Sequence, residues 1–190
     1  ILVAKQSSFI DKIIVSTDSK KYKKISEKFG AEVPFLRPKK ISSKNSLDID
    51  FIKHCYNYCK ILKYFPDIII LLRPTSPNRK VKILNEGIKH FFKNFKKYDS
   101  MRSVSIFNQP PQKLFQIKNN RLIGFFDKYL KGEYHGKPRQ NYPKTYLPNG
   151  YIDAFKPKFF TNKNDQLFGK ILPFITDEIL DIDEKKDLKK

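Results

Sequence analysis

The chain is poor in cysteine, with two in 190 residues, and it has no apolar run of the roughly 18–20 residues that would span a bilayer. Cys55 and Cys59 are four residues apart on a predicted helix, which is not the CxxC spacing of redox sites. No set of His and Cys completes a zinc site, and no histidine stands beside a GxSxG-type nucleophile. We therefore expect no hydrolase triad and buried, reduced thiols in a cytoplasmic protein.

Acidic residues are also scarce: 19 Asp and Glu face 39 Lys and Arg, for a net charge of +20. This charge raises the question of nucleic-acid binding. The lysines, however, are spread along the whole chain, without an aromatic-basic repeat or a recognition-helix pattern. The distribution favours a solvated lysine surface and no specific nucleic-acid partner, with weak polyanion binding at low salt as the alternative. Arginine occurs only at Arg37, Arg73, Arg79, Arg102, Arg121 and Arg139.

The length and a hydrophobic content of 39% predict one folded domain over residues 1–190. Predicted strands alternate with predicted helices in the first part of the chain. This alternation is typical of βαβ units and predicts an α/β fold with a mainly parallel sheet. The strands are expected at residues 12–17, 32–36, 67–72 and 102–107, and the helices at residues 20–29, 47–62 and 81–95.

The pattern changes after Asn108. Two short apolar segments flank Asn119-Asn120, which predicts a hairpin over residues 113–123. Residues 129–148 are rich in Tyr, Pro, Gly and Lys and are expected to be irregular; a loop of this length is usually functional or contacts a partner. Late strands are expected at residues 150–155 and 171–174.

The segment LLRPTSPNR, residues 71–79, follows an apolar run that is typical of a buried parallel strand. The carboxyl end of this strand carries Arg73, Thr75, Ser76 and Arg79. Ligands bind at that edge in open α/β sheets, and guanidinium groups with hydroxyls suit a carboxylate or phosphate. The alternative is a solvated loop with ordinary turn prolines.

Asp181 and Asp183 flank one apolar residue, so on an extended segment their carboxylates point the same way. Such a pair suits a magnesium ion, although Asp183 could instead cap a last helix. Asp18 follows another predicted strand, where it could contact a sugar or base, cap the next helix, or do both.

Further polar groups follow the second predicted strand and the irregular segment. Arg37, Asn45, Ser46 and Asp48 lie at or after the exit of the strand at residues 32–36. Arg139 is a candidate clamp for a carboxylate. Tyr142, Tyr146 and Asn149 are candidate hydroxyl or ring contacts, although Asn149-Gly150 also suits a simple turn.

Five segments occur in one order: VSTDS at 15–19, EVPFLRP at 32–38, LLRPTSPNR at 71–79, PRQNYPKTYLPNGYID at 138–153 and LDIDEKKD at 180–187. In this order they resemble the acylneuraminate cytidylyltransferases, the synthetases of CMP-sialic acid and of CMP-linked relatives. The resemblance implies a Rossmann-like nucleotidyltransferase domain. It also implies a reaction in which CTP and a nine-carbon acidic sugar give CMP-sugar and pyrophosphate.

The resemblance assigns roles to the candidate residues. Asp181 and Asp183 match the metal-binding carboxylates, which hold Mg2+ and serve catalysis. A small extension near residues 125–148 resembles the part that reaches a partner subunit, so a homodimer is expected. The region that contacts the nucleotide is matched by Asp18, Arg37, Asn45, Ser46 and Asp48. The region around the acidic sugar is matched by Arg73, Thr75, Ser76, Arg139, Tyr146 and Asn149.

The chain departs from the family at two points. The phosphate loop of the form ARxGSKGxxxKN and the central strand before it are absent, so we expect a missing N-terminal segment and no activity from this stretch alone. The C-terminal end is expected to be truncated as well. Arg73 stands where sialic-acid members carry Gln, which leaves the sugar open. The alternatives are a 3-deoxy-manno-octulosonate cytidylyltransferase and an inactive, lysine-rich binding protein.

Overall fold

A four-stranded mixed sheet forms the centre of the molecule, in a computed structural model that describes residues 1–158, 166–177, 182, 184, 186 and 187. Its strand order is β1 (Ile69–Leu71), β5 (Thr145–Phe155), β2 (Ser100–Phe107) and β6 (Ile171–Ile175). The long β5 runs antiparallel to both of its neighbours, and β2 runs parallel to β6. A separate hairpin is formed by β3 (Phe115–Lys118) and β4 (Arg121–Gly124).

The helices that accompany the sheet in the described part of the chain include α1 (Leu2–Lys5), α2 (Lys20–Lys28), α3 (Asp48–Ile61) and α4 (Val81–Lys93). The predictions for the last three are confirmed within a few residues. Ser19 caps α2 by accepting a hydrogen bond from the amide of Tyr22, and Gly30 follows the helix at φ +84°. Within the described residues, no helix is long and apolar enough to cross a membrane.

The two faces of the sheet are covered by different helices. Helix α4 buries Leu84, Gly87, Ile88 and Phe91, at the spacing of one helical face, against the cluster that includes Met101 and Ile152. On the other side, Ile49 and Ile52 of α3 pack with Phe155 and Leu167. The loop between β1 and α4 therefore runs over the sheet edge between these two layers.

The direction of β1 differs from the prediction of a buried parallel strand. It runs antiparallel to β5 and is half-buried. Ile68, Ile70 and Leu72 pack on the α4 side, while Ile69 and Leu71 pack on the α3 side. Helices on both faces explain the continuous apolar run, which signals two-sided burial and leaves strand direction open.

The strands expected at residues 12–17 and 32–36 are reduced to one parallel bridge between Ile14 and Glu32. The amide of Val15 donates to the Glu32 carbonyl at 2.9 Å, and the Glu32 amide donates to Ile13 at 2.8 Å. Pro34 cannot extend this ladder because it has no N–H. The prediction of full strands here is therefore wrong, although the two segments do lie side by side.

The hairpin is confirmed, with Asn119 and Asn120 at φ 51° and 59°, as a tight two-residue turn requires. The segment at residues 129–148 is less irregular than predicted. Short 3-10 turns form at Tyr134–Gly136 and Arg139–Asn141, and β5 begins at Thr145. Strand β5 begins earlier than predicted because it pairs with β2 over a long stretch. A register shift near Arg102 and Val104 accommodates this pairing.

Candidate functional site

The loop after β1 is fastened to β5 by Arg79. The Arg79 Nε donates to the carbonyl of Tyr151 at 2.7 Å and Nη2 donates to that of Gly150 at 2.9 Å, while Nη1 donates to that of Ser76. Ser76 is fully buried beneath this contact. Arg79 and Ser76 thus shape the loop through the backbone, and the Ser76 hydroxyl lies 3.5 Å from the carbonyl oxygen of Gly150.

Arg73 lies at the centre of a network of four charged side chains. Its guanidinium faces Asp48 at the start of α3 with both terminal nitrogens: Nη1 is 3.4 Å from Oδ1, and Nη2 pairs closely with Oδ2. Nη2 also lies 3.6 Å from Oδ2 of Asp153, and the other oxygen of Asp153 lies 3.3 Å from Nε of Arg102. The network therefore joins α3, β5, β2 and the loop after β1, which carry Asp48, Asp153, Arg102 and Arg73.

The two carboxylates of this network have different surroundings. Asp153 is 2% exposed, and burial raises the pKa of its carboxyl above the ordinary value, against the opposing effect of Arg102 and Arg73. Burial by itself lowers the pKa of Arg73, but its pairing with Asp48 and Asp153 outweighs this effect and leaves it raised. The Arg73 guanidinium is accordingly a permanent cation, 30% exposed, at the sheet edge.

The candidates from the sequence do not include three parts of this site: Arg102, Asp153 and Gly150. Strand β5 has one charged side chain, Asp153, and β2 has one, Arg102, which is the signal that could have revealed them. Gly150 is not a simple turn residue but lies within β5 at φ +68°. A Cβ there would come within 3.1 Å of the Arg73 Cδ, so the glycine leaves the space that Arg73 occupies.

The predicted metal ligands Asp181 and Asp183 lie outside the described residues. The residue between them, Ile182, is described, and its amide donates a 2.8 Å hydrogen bond to the carbonyl of Thr75. Ile182 thus lies at the loop that carries Arg73. Across the part of the chain that the structure describes, no group of three His, Cys, Asp or Glu side chains could hold a metal ion.

A second group of predicted residues gathers around Arg37. The Arg37 amide donates to Thr17 at 2.8 Å, next to the exposed Asp18, so the ends of the two predicted strands meet. The side chain donates from Nε to the Ser42 hydroxyl at 3.1 Å and lies over the Phe51 ring.

The polar loop that follows Arg37 leads directly to the Arg73 network. Ser46 accepts a hydrogen bond from the amide of Ser43 at 2.9 Å, while Asn45 is exposed. This loop ends at α3, where Asp48 pairs with Arg73.

The remaining sugar-contacting candidates point elsewhere in this chain. Arg139 donates to Asn108 at 3.0 Å and lines a cavity of about 430 Å3 beside Tyr142 and Thr145. Thr145 and Asp153 pair with Phe107 and Arg102 of β2, which are five residues apart, or about 16–17 Å along a strand.

Tyr146 and Asn149 also lie on β5. Tyr146 is exposed opposite Ile106, while Asn149 donates to the Thr176 hydroxyl at 2.7 Å. Arg139 is therefore not part of the Arg73 network within this chain, and Asn149 faces the end of β6.

The two cysteines are free, as predicted. Cys59 is buried and Cys55 is half-buried. Burial, with the neighbouring Cys59 thiol, raises the pKa of Cys55 to about 12. A thiol with so high a pKa stays protonated and is a poor nucleophile, so the pair has no part in the chemistry of the site.

Comparison with known proteins gives a consistent result. The family profile described as "Cytidylyltransferase" matches residues 1–134. The chain is 32% identical over its whole length to the N-acylneuraminate cytidylyltransferase of Escherichia coli, of which it spans 43%. It is 25% identical to the pseudaminic acid cytidylyltransferase of Campylobacter jejuni, over 98% of this chain and 78% of that protein.

The fold also has a solved counterpart. The structure of CMP:2-keto-3-deoxy-manno-octonic acid synthetase complexed with CTP superimposes with a TM-score of 0.65 at 14% identity, over 98% of this chain and 81% of that one. At this identity the similarity concerns the fold alone, and it confirms the predicted α/β class. The family match over most of the chain decides the assignment: the protein belongs to the cytidylyltransferase family of nucleotidyltransferases.

Proposed function

We propose that the protein transfers CMP from CTP to the anomeric hydroxyl of a nonulosonic acid. The hydroxyl oxygen forms a bond to the α-phosphorus, the bond from that phosphorus to the bridging oxygen of the β-phosphate breaks, and pyrophosphate leaves; the hydroxyl proton passes to solvent. The observation that carries the proposal is the Arg73 guanidinium, which already holds a carboxylate in fork-to-fork geometry at the sheet edge. The names of the relatives from Escherichia coli and Campylobacter jejuni point to the same class of acidic sugar.

Mg2+ fits the donor set of the proposed site. Asp181 and Asp183 would hold it, since carboxylate oxygens are its preferred ligands. Ile182, which stands between them in the sequence, contacts the carbonyl of Thr75. When bound, the ion would neutralise phosphate charge on the leaving pyrophosphate. The chain's own contribution is positioning: Arg73 orients the sugar carboxylate, and Arg37 with Asp18, Asn45 and Ser46 contacts the nucleotide. Asp48, which is matched to the same nucleotide region, pairs with Arg73 in this structure.

We further propose a homodimer that acts in the cytoplasm. The hairpin before the predicted extension exposes Ile117 and Leu122 at 77% and 68%, a patch that suits a protein partner. A partner protomer would also supply Arg139, which lies in the turn before β5, and Tyr146, which lies near the start of β5; neither contacts Arg73 within one chain. Sedimentation of the wild type and of Leu122→Lys tests this arrangement: the wild type should be dimeric and the variant monomeric.

The test of the reaction is pyrophosphate release from CTP and Mg2+ with a panel of acidic sugars: N-acetylneuraminic, pseudaminic, legionaminic and 3-deoxy-manno-octulosonic acids. The assay uses the 190-residue chain and a form with a phosphate-loop segment placed ahead of Ile1. We expect release with one nine-carbon acid in the extended form and none in the shorter one. Release with the eight-carbon acid alone would change the substrate class, and a folded, extended protein that turns over no sugar would contradict the proposal.

A further inference from the structure

The fork of Arg73 is already filled by a carboxylate of the same chain. Both terminal nitrogens of Arg73 face the two oxygens of Asp48, with Nη1 3.4 Å from Oδ1. This parallel pairing is the arrangement in which arginine recognises a free carboxylate ligand. An acidic sugar that binds at Arg73 would need the position that Asp48 holds.

The two aspartates at Arg73 differ in how easily they can leave it. Asp48 is 32% exposed and lies in the first turn of α3, where the helix N-terminus stabilises its charge even without the arginine. Asp153 is buried in β5 and also faces Arg102. Moving the Asp153 carboxylate would take the opposite charge away from the Arg102 guanidinium as well. The Asp48 side chain can thus rotate into solvent, whereas the Asp153 side chain is held in place.

We propose that Asp48 is an internal substitute for the substrate carboxylate, displaced from Arg73 when the acidic sugar binds. Asp153 is the positioning residue that keeps the Arg73 guanidinium aimed at that site. The inference rests on the proposed function in that it takes the acidic sugar to bind at Arg73. A consequence is selectivity for acidic sugars. A neutral sugar cannot replace the charge of Asp48, so the ion pair between Asp48 and Arg73 stays intact.

The test compares Asp48→Asn with Asp153→Asn in the extended form that releases pyrophosphate. Asp48→Asn keeps the size of the side chain and removes the competing charge, so the KM for the acidic sugar should fall about three- to tenfold. Asp153→Asn should raise that KM about tenfold. Both variants should change the KM for the sugar by a larger factor than the KM for CTP, a split that a general loss of structure would not produce. Asp67→Asn, an exposed aspartate before β1, is the matched control and should change neither constant.

The two variants move the same constant in opposite directions, which makes the result decisive. A higher KM for the sugar in Asp48→Asn, or a larger change in the KM for CTP than in the KM for the sugar, would overturn the inference and place Asp48 among the nucleotide contacts. If Asp153→Asn fails to fold, Asp48→Asn in an Arg73→Met background replaces it: the gain from Asp48→Asn should then vanish, and a persistent gain overturns the inference.

Failure of the proposed function gives a different result. In that case the wild type releases no pyrophosphate with any sugar of the panel. Calorimetric titration of wild type and Asp48→Asn with N-acetylneuraminic acid then decides the inference separately. Tighter binding by the variant supports displacement at Arg73, and equal, weaker or undetectable binding overturns it.

Discussion

The amide of Ile182 donates a 2.8 Å hydrogen bond to the carbonyl of Thr75, although the two residues are more than a hundred positions apart. This bond brings Ile182, which stands between the two predicted metal ligands in the sequence, to the loop that carries Arg73.

Removing the two aspartates should abolish metal-dependent transfer. Asp181→Ala/Asp183→Ala is expected to lower kcat by at least about a hundredfold, because the charge on the leaving pyrophosphate is no longer compensated. Pyrophosphate release in the extended form measures the effect. Asp177→Ala changes an exposed aspartate just before this segment and serves as the control, which should keep wild-type activity. Full activity in the double variant would remove both residues from the site.

Gly150 should be sensitive to substitution for a reason that Gly132 lacks. Both have a positive φ, +68° and +69°, so alanine costs about 1–2 kcal/mol of backbone strain at each. At Gly150 the new Cβ also meets the Arg73 Cδ at 3.1 Å, whereas nothing lies within 4 Å at Gly132. We expect Gly150→Ala to lose more unfolding free energy in urea and to raise the KM for the acidic sugar. Equal losses in the two variants would show that the contact with Arg73 is unimportant.

Arg79 should matter for stability more than its partial exposure suggests. Its three donors reach carbonyls of Ser76, Gly150 and Tyr151, and a lysine cannot reproduce this fork. Arg79→Lys is expected to lose about 3 kcal/mol of unfolding free energy, because charged hydrogen bonds to the backbone are replaced poorly. Arg121→Lys, at an exposed position of the hairpin, is the control. A loss within about 0.5 kcal/mol of wild type, the range of ordinary surface changes, would refute the structural role.

Asp153 should give the protein a distinct dependence of stability on pH. Its pKa is raised above 3.8, so the folded state favours the protonated carboxyl. The stabilisation of the folded state by the Asp153 carboxyl is complete below pH 3.8 and is lost as the pH rises through the raised pKa. The unfolding free energy of the wild type relative to Asp153→Asn should therefore fall from acid toward neutral pH, measured by urea denaturation at a series of pH values. A relative gain with rising pH would mean that Arg73 and Arg102 outweigh burial.

Helix ends and turns that depend on residues close together in the chain could be predicted from the sequence. Ser19 and Gly30 bound α2 at positions set by local hydrogen bonds and by a left-handed φ. Asn119-Asn120 determines its hairpin in the same way. Strand direction was not predictable at β1, because an apolar run reports burial on both faces and says nothing about the neighbouring strand. Pro34 limited a predicted strand to one bridge, since a ladder needs an N–H at each step.

The sequence by itself determined the helices, the hairpin and the order of polar segments that led to the cytidylyltransferase family. Only the tertiary structure decided which charges meet. Arg73 pairs with Asp48, 25 positions away, and approaches Asp153, 80 positions away, because α3 and β5 flank the end of β1. Local elements are set by hydrogen bonds between near neighbours, whereas such pairings arise from many weak packing contacts that no single motif records.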